Sequence, residues 1–151
     1  MRWLIAAIFG NFGVVEKDVY RCAQRWYMYP IWIGIWLFCG LKTRINLATQ
    51  EKDTQDRFER WLWKKLGVKY ITFLTIAPGL NFDEAFEALK TCERPVLYGC
   101  EGNKDRGGGL TAVYKKEVMG CTFTEVVEDW PVFGAPSEGW LKFLFKRWDG
   151  S

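Results

Sequence analysis

Short apolar segments of extended character alternate with amphipathic segments of helical period along this 151-residue chain. Strands joined by helices pair in parallel, because the crossover helix returns the chain to the same end of the sheet. Both faces of such a sheet have to be covered, so its strands are apolar on both sides. The alternation therefore predicts a single α/β domain with a central, mostly parallel sheet of about four or five strands flanked by helices.

The individual elements are predicted from hydrophobic period and from Gly, Pro and capping residues. Strands are predicted over residues 19–23, 42–47, 69–76 and 94–98. Helices are predicted over residues 26–38, 53–66, 110–119, 124–130 and 137–148. Phe58, Leu62 and Leu66 form the apolar face expected for the helix at 53–66. Asn81 is the expected N-cap of a further helix that holds Phe82, Phe86 and Leu89.

Composition excludes several classes of function. The chain contains no histidine, which excludes His-ligated metal sites, Ser-His-Asp triads and Cys-His dyads formed within it. A net charge of only +3, with no block rich in Lys and Arg, argues against nucleic acid as a partner. Five cysteines without a CxxC pair indicate a reducing compartment, the cytoplasm, and exclude a structural zinc site on spacing.

The first ten residues, MRWLIAAIFG, hold one Arg and a short apolar run. We interpret residues 1–10 as an N-terminal tail or the remnant of an anchor, and residues 11–151 as the domain. The apolar stretch that starts at Tyr29, YPIWIGIWLFCG, is 12 residues long, too short for a bilayer core of roughly 30 Å. Membrane association is therefore expected only through an anchor lost upstream of Met1.

Residues 96–110, VLYGCEGNKDRGGGL, form the segment with the clearest chemical content. An apolar strand is followed by Cys100, five residues, Arg106, a glycine run and a helix. Successive backbone N–H groups can curl into a nest here, and the helix adds its positive N-terminal end, so the segment is suited to a phosphate dianion. The predicted phosphate-binding residues are Glu101, Gly102, Asn103, Lys104 and Gly107. Gly102, Asn103 and the glycines at 107–109 are residues that allow positive φ angles.

The same positive field favours the thiolate of Cys100 over the thiol, which makes it the predicted nucleophile. Arg106 is the predicted oxyanion clamp, because its planar fork donates two parallel hydrogen bonds that a Lys cannot reproduce. Lys104 adds a point charge at the mouth of the loop. This chemistry needs no cofactor and no metal.

The segment CEGNKDRGG resembles the CxxxxxR phosphate-binding signature of the cysteine-dependent protein phosphatases. It is most similar to the small atypical dual-specificity and bacterial tyrosine phosphatases, which read HCxxGKDRTG. NFGVVEKDVYRCAQ, KTRINL and RPVLY resemble three strand regions of that family, so the resemblance covers roughly residues 11–149. It implies a phosphatase-like fold and hydrolysis of phosphoric monoesters through a phosphocysteine. The implied substrate is a phosphorylated protein or a phosphorylated small molecule, such as a phosphoinositide or an inositol phosphate.

The resemblance also implies a general acid that protonates the leaving oxygen. Many relatives carry an Asp for this purpose on a loop before the nucleophile, but the matching loop here, TIAPGL at residues 75–80, holds no carboxylate. Asp105 lies inside the cradle, where some KDR-type relatives are thought to keep their acid. It is therefore the predicted acid, with Asp83 as the alternative.

Three positions depart from the family pattern: Gly99 replaces the usual His, Asn103 the usual Gly, and Gly107 the usual Thr or Ser. The usual hydroxyl donates a hydrogen bond to the thiolate, a contact worth about 1.5 to 3 kcal/mol. The sequence thus predicts a phosphatase with weakened turnover. The alternatives are a catalytically impaired, phosphate-binding pseudophosphatase or an engineered variant, and a sulfurtransferase that would carry a persulfide on Cys100.

Overall fold

The computed structural model describes residues 12–23, 28–47, 54–73, 81–100, 105–128, 130–133 and 135–149. Within these ranges the strands are β1 (Gly13–Glu16), β2 (Val19–Arg21), β3 (Thr43–Asn46), β4 (Lys69–Thr72) and β5 (Val96–Gly99). The helices are α1 (Tyr29–Cys39), α2 (Thr54–Lys65), α3 (Phe82–Thr91), α4 (Arg106–Glu117), α5 (Phe123–Val127), α6 (Trp130–Phe133) and α7 (Glu138–Asp149). Residues 1–11 and the Pro-Gly part of the loop at 75–80 lie outside the described residues.

The five strands form one sheet in the order β1-β2-β5-β3-β4. The pairs β2–β5, β5–β3 and β3–β4 are parallel. Strand β1 lies at the edge of the sheet and pairs with β2 in the antiparallel direction. Asn46 at the end of β3 pairs with both Gly99 of β5 and Thr72 of β4. The prediction of a mostly parallel, five-stranded α/β sheet is confirmed, and the carboxyl ends of β3 and β5 lie side by side.

Hydrophobic clusters cover both faces of the sheet. One face packs against α3, α4, α5 and α7, through residues that include Phe86, Leu110, Val126 and Leu144. The other face packs against α1 and α2, through residues that include Trp32 and Trp63. Apolar side chains thus leave water on both sides of the central strands, which is the main driving force for this arrangement.

Helix α2 forms where the sequence predicts it, but it buries a different face. Phe58 of the predicted apolar face is 36% exposed, and Leu62 and Leu66 are only partly buried. The fully buried residues of α2 are instead Asp56, Glu59 and Trp63. The predicted helix is present, and Leu62 and Leu66 pack at the edge of the core cluster. Two carboxylates take the inner positions and receive hydrogen bonds from the neighbouring strands.

Several element boundaries also differ from the predictions. Helix α4 begins at Arg106, before the predicted residue 110, and the predicted helix at 124–130 is divided between α5 and α6. Helix α5 starts with a capping box, in which the Thr122 hydroxyl accepts from the Glu125 N–H and the Glu125 carboxylate accepts from the Thr122 N–H. Asn81 stands at the N-cap of α3 as predicted, but in a left-handed conformation and without a side-chain capping bond.

Helix α1 has clear start and stop signals. Pro30 lies in its first turn, where the missing N–H costs no hydrogen bond. Gly40 ends the helix with a left-handed φ of 71°, and its N–H donates to the Trp36 carbonyl at 3.1 Å. Among the described residues, no helix is both long and apolar enough to cross a membrane.

Candidate active site

Cys100 directly follows β5, at the carboxyl end of the sheet where open α/β folds bind ligands. Its side chain is buried, with 2% exposed, and belongs to the core cluster under α4. The backbone N–H of Gly107, in the first turn of α4, donates to Cys100 Sγ at 3.4 Å. The strand and the helix therefore bring the thiol to the positive end of α4. The predicted phosphate-binding residues 101–104 lie outside the described residues.

Arg106 is the first residue of α4 and reaches across to the end of β3. Its Nη1 donates to the carbonyl of Leu47 at 2.9 Å, and the N–H of Leu47 donates to the Gly99 carbonyl at 2.8 Å. Leu47 therefore links the proposed clamp to the strand that carries Cys100. The contact uses one of the two terminal guanidinium nitrogens and sets the direction of the planar fork.

Asp105 holds the starts of α4 and α7 together. Its Oδ1 accepts from the backbone N–H of Ser137 at 2.6 Å, and its carbonyl accepts from the N–H of Gly109 at 2.7 Å. Ser137, the first residue of the helix predicted at 137–148, thus donates to the carboxylate that the sequence nominates as the acid. An Asp in this position can bind loop backbone as well as exchange a proton.

Asp83, the alternative acid, is not brought to Cys100. Its Oδ1 accepts from Arg147 Nη1 at 2.9 Å, and the same Arg147 binds the carboxylate of Glu117. Glu117 is the last residue of α4, and a helix of this length spans about 18 Å. Asp83 therefore lies near the end of α4 that points away from the thiol.

The presence of Gly99 before the candidate nucleophile has a steric explanation. A Cβ on Gly99 would lie 1.7 Å from the carbonyl oxygen of Cys22. Cys22 follows β2 and continues its pairing, because its N–H donates to the Tyr98 carbonyl at 3.0 Å. This backbone has no room for the His that the family pattern places here, so Gly99 is required by the close approach of β2.

The glycine run after Arg106 is part of helix α4 and does not form a turn. Residues 107–109 lie within α4, and the glycines with positive φ in the described ranges are Gly40, Gly67 and Gly120. The freedom of glycine to adopt a positive φ is therefore not used at 107–109. A Cβ on Gly109 would meet Trp140 Cε3 at 2.7 Å, so Gly109 lets α7 pack closely on α4. The Gly107 carbonyl accepts from the Thr111 hydroxyl at 2.7 Å.

A buried polar cluster beside the site was missed from the sequence. We call it the β3 polar network: it comprises Arg44, Asn46, Asp56, Glu59, Trp63 and Tyr70. Arg44 and Asn46 are fully buried although they occupy a central parallel strand, where apolar residues are the rule. The polar residues Arg44 and Asn46 in the middle of the predicted strand KTRINL were the signal available. Burial raises the pKa of Tyr70, and the Glu59 carboxylate raises it further.

Comparison by sequence finds no relatives: no protein-family model matches the chain, and a search of curated proteins finds no match.

Comparison with solved structures does find likenesses. The core catalytic domain of the PP-IP phosphatase SIW14 from S. cerevisiae, solved with citrate, has a TM-score of 0.69 and 19% identity over 89% of this chain and 84% of that one. TpbA from P. aeruginosa has a TM-score of 0.68 and 19% identity over 93% and 84%; a variant of it is solved with pTyr. Human DUSP28 has a TM-score of 0.65 and 13% identity over 92% and 93%.

At such low identity these likenesses establish the fold. They agree with the observed five-stranded, mostly parallel sheet flanked by helices. The chain therefore has the fold shared by the cysteine-dependent tyrosine and dual-specificity phosphatases.

Proposed function

We propose that the protein hydrolyses phosphoric monoesters through a phosphocysteine intermediate on Cys100. The observation that carries the proposal is the Gly107 N–H donating to Cys100 Sγ at 3.4 Å, at the start of a helix whose first residue is Arg106. A sulfur at the N-terminus of a helix that begins with an arginine is an arrangement suited to an attacking thiolate and to a bound dianion. The shared phosphatase fold supports the same reading.

The reaction follows from these groups. The Cys100 thiolate attacks phosphorus in line while the bond from phosphorus to the ester oxygen breaks, and Arg106 binds the oxygens on which charge accumulates. Asp105 supplies the proton that the leaving oxygen takes up. Water then attacks the phosphocysteine and gives its proton to Asp105, the P–S bond breaks, and inorganic phosphate and the thiolate are released.

The substrate class is a phosphorylated protein or a phosphorylated small molecule. Two neighbours in fold support this range: SIW14 is named a PP-IP phosphatase, and TpbA has been solved with pTyr. Lys104, next to the predicted nest, favours ligands that carry more than one phosphate. A panel of a phosphotyrosine peptide, a phosphoserine peptide and inositol phosphates separates these substrates.

A pseudophosphatase is the second candidate, because Gly99 and Gly107 lack the side chains that usually support the thiolate. The backbone N–H of Gly107 donates to the sulfur without any help from a side chain. This donor is available whichever residue stands at position 107, so it supports a charged sulfur but does not replace the missing hydroxyl. We therefore expect measurable but slow turnover.

The test is a para-nitrophenyl phosphate assay with isothermal titration of inorganic phosphate. Hydrolysis should disappear in Cys100→Ser, while Arg106→Ala should lose both hydrolysis and phosphate binding. Phosphate binding without hydrolysis that depends on Cys100 would favour the pseudophosphatase. Phosphate affinity unchanged in Arg106→Ala would reject both readings. Thiosulfate-dependent persulfide on Cys100 would identify a sulfurtransferase.

A further inference from the structure

The β3 polar network is fully connected around two carboxylates. Glu59 Oε1 accepts from Arg44 Nε and Trp63 Nε1, both at 2.9 Å, and Oε2 accepts from Asn46 Nδ2 at 3.2 Å. Asn46 Nδ2 also donates to the Tyr70 hydroxyl at 2.8 Å. The remaining links end on Asp56, which accepts from Tyr70 at 2.7 Å and from Arg60 at 3.0 Å. The network thus joins β3 to both α2 and β4.

Stability alone gives a poor reason for such a network. Arg44 and Glu59 are completely buried, and the cost of removing two charges from water often exceeds their mutual attraction. Arg44 Nη2 is buried without a hydrogen-bond partner among the described residues, which adds to that cost. A well-packed apolar pair would serve the core at least as well. Departures from local rules of this kind commonly mark functional positions.

The location of Asn46 connects the network to the candidate active site. Asn46 is the last residue of β3, and its carbonyl accepts from the N–H of Phe73 at 3.1 Å. The next residue, Leu47, supplies the carbonyl that receives Arg106 Nη1 at 2.9 Å. One peptide unit therefore separates the clamped Asn46 side chain from the group that orients Arg106.

From this arrangement we propose that Asn46, held by Glu59 and Tyr70, is a positioning residue for Arg106. Its side chain fixes the end of β3, so the Leu47 carbonyl keeps the direction that aims the guanidinium at the anion. Small displacements matter here, because a bidentate contact to phosphate requires the planar fork in one orientation. The inference rests on the proposed role of Arg106 in binding phosphate.

The first measurement is the NMR resonance of the Arg106 Nε–Hε group, recorded on the full chain without phosphate. The resonance is assigned by its loss in Arg106→Lys. Asn46→Ala should shift this resonance, and Tyr70→Phe should shift it less, because Asn46 then keeps its bond to Glu59. Tyr114→Phe is the matched control. Its hydroxyl binds Glu16 and Arg94 away from the site, so that change should lower stability without moving the Arg106 resonance.

The second measurement is inhibition by inorganic phosphate, with kcat and KM for the same variants. Asn46→Ala should weaken phosphate inhibition about tenfold, the effect of one misplaced charged contact, and Tyr114→Phe should not. If Asn46→Ala folds and keeps both the wild-type Arg106 resonance and the wild-type phosphate affinity, the inference is overturned. If Asn46→Ala fails to fold, the same two measurements on Tyr70→Phe decide. If Arg106→Lys binds phosphate as tightly as the wild type, the proposed function is rejected instead. The two failures can be told apart, because the Arg106 resonance reports the position of the side chain without depending on phosphate binding.

Discussion

A Cβ on Gly99 would lie 1.7 Å from the carbonyl oxygen of Cys22, and this contact decides which residue can precede the candidate nucleophile. The Cys22 oxygen is backbone, so it cannot move aside as the end of a flexible side chain could. The absence of the usual His is therefore tied to how closely β2 approaches β5, and a change at this position alone should not restore the family pattern.

We predict that Gly99→His lowers stability and does not raise turnover. The clash should exceed the usual overpacking cost of about 1 to 3 kcal/mol, because it involves backbone. Urea denaturation and the para-nitrophenyl phosphate assay measure the two effects. Gly99→Ala should already be destabilised. A Gly99→His protein with wild-type stability and faster turnover would show that the close approach does not exist.

The two functions open to Asp105 can be separated by a pair of substitutions. Asp105→Asn keeps an oxygen that accepts from the Ser137 N–H, whereas Asp105→Ala removes it. If Asp105 is the acid, both variants should lose about 100-fold or more in hydrolysis of an alkyl phosphate, whose leaving group needs the proton. Hydrolysis of para-nitrophenyl phosphate should fall less. Full activity of Asp105→Asn on the alkyl ester would leave only the tethering role.

The ion pair of Arg44 and Glu59 should be strongly non-additive. Glu59→Leu alone leaves a buried guanidinium without its partner, so it should cost about 3 to 5 kcal/mol. Arg44→Met together with Glu59→Leu should cost much less than the sum of the single changes. Denaturant midpoints of the three variants give the coupling energy. Additive costs would mean that the two charges do not interact.

Gly109 should be needed for packing between α4 and α7. Alanine there meets the ring of Trp140, which packs against Phe82 and Phe143. We expect Gly109→Ala to destabilise by about 1 to 2 kcal/mol in spite of its better helix propensity. Gly34→Ala in α1 is the control, since nothing lies within 4 Å of its Cβ, and should stabilise by up to about 1 kcal/mol. Equal effects at both glycines would contradict the contact.

Alkaline conditions should destabilise the protein partly through Cys22. Burial raises the pKa of this thiol from 9.0 to about 12. The unfolded chain therefore loses this proton at a lower pH than the folded chain. The contribution of Cys22 to stability is complete below pH 9. Above pH 9 the free energy of unfolding should fall by about 1.4 kcal/mol per pH unit through this group, as pH rises toward the folded pKa. Urea midpoints from pH 8 to pH 11 should fall less steeply in Cys22→Ala. If the urea midpoints of the wild type and of Cys22→Ala fall equally with pH, Cys22 makes no contribution.

Local patterns predicted most of the strands and helices, and they nominated the candidate nucleophile. The buried face of α3 follows from hydrophobic period, which reflects burial directly. The spacing of Cys100 and Arg106, placed between an apolar strand and a helix, predicts phosphate chemistry without any tertiary information, because an anion nest is built by consecutive backbone groups.

Tertiary structure decided the rest, since the groups that matter are distant in the sequence. The burial of Asp56 and Glu59 depends on donors from β3 and β4, and hydropathy alone assigns both carboxylates to the surface. The need for glycine at position 99 depends on a carbonyl of another strand. The sequence by itself thus determined the succession of strands and helices, and it predicts which loop holds phosphate. Only packing decided which polar groups are buried and how Arg106 is aimed, because those outcomes depend on contacts between elements.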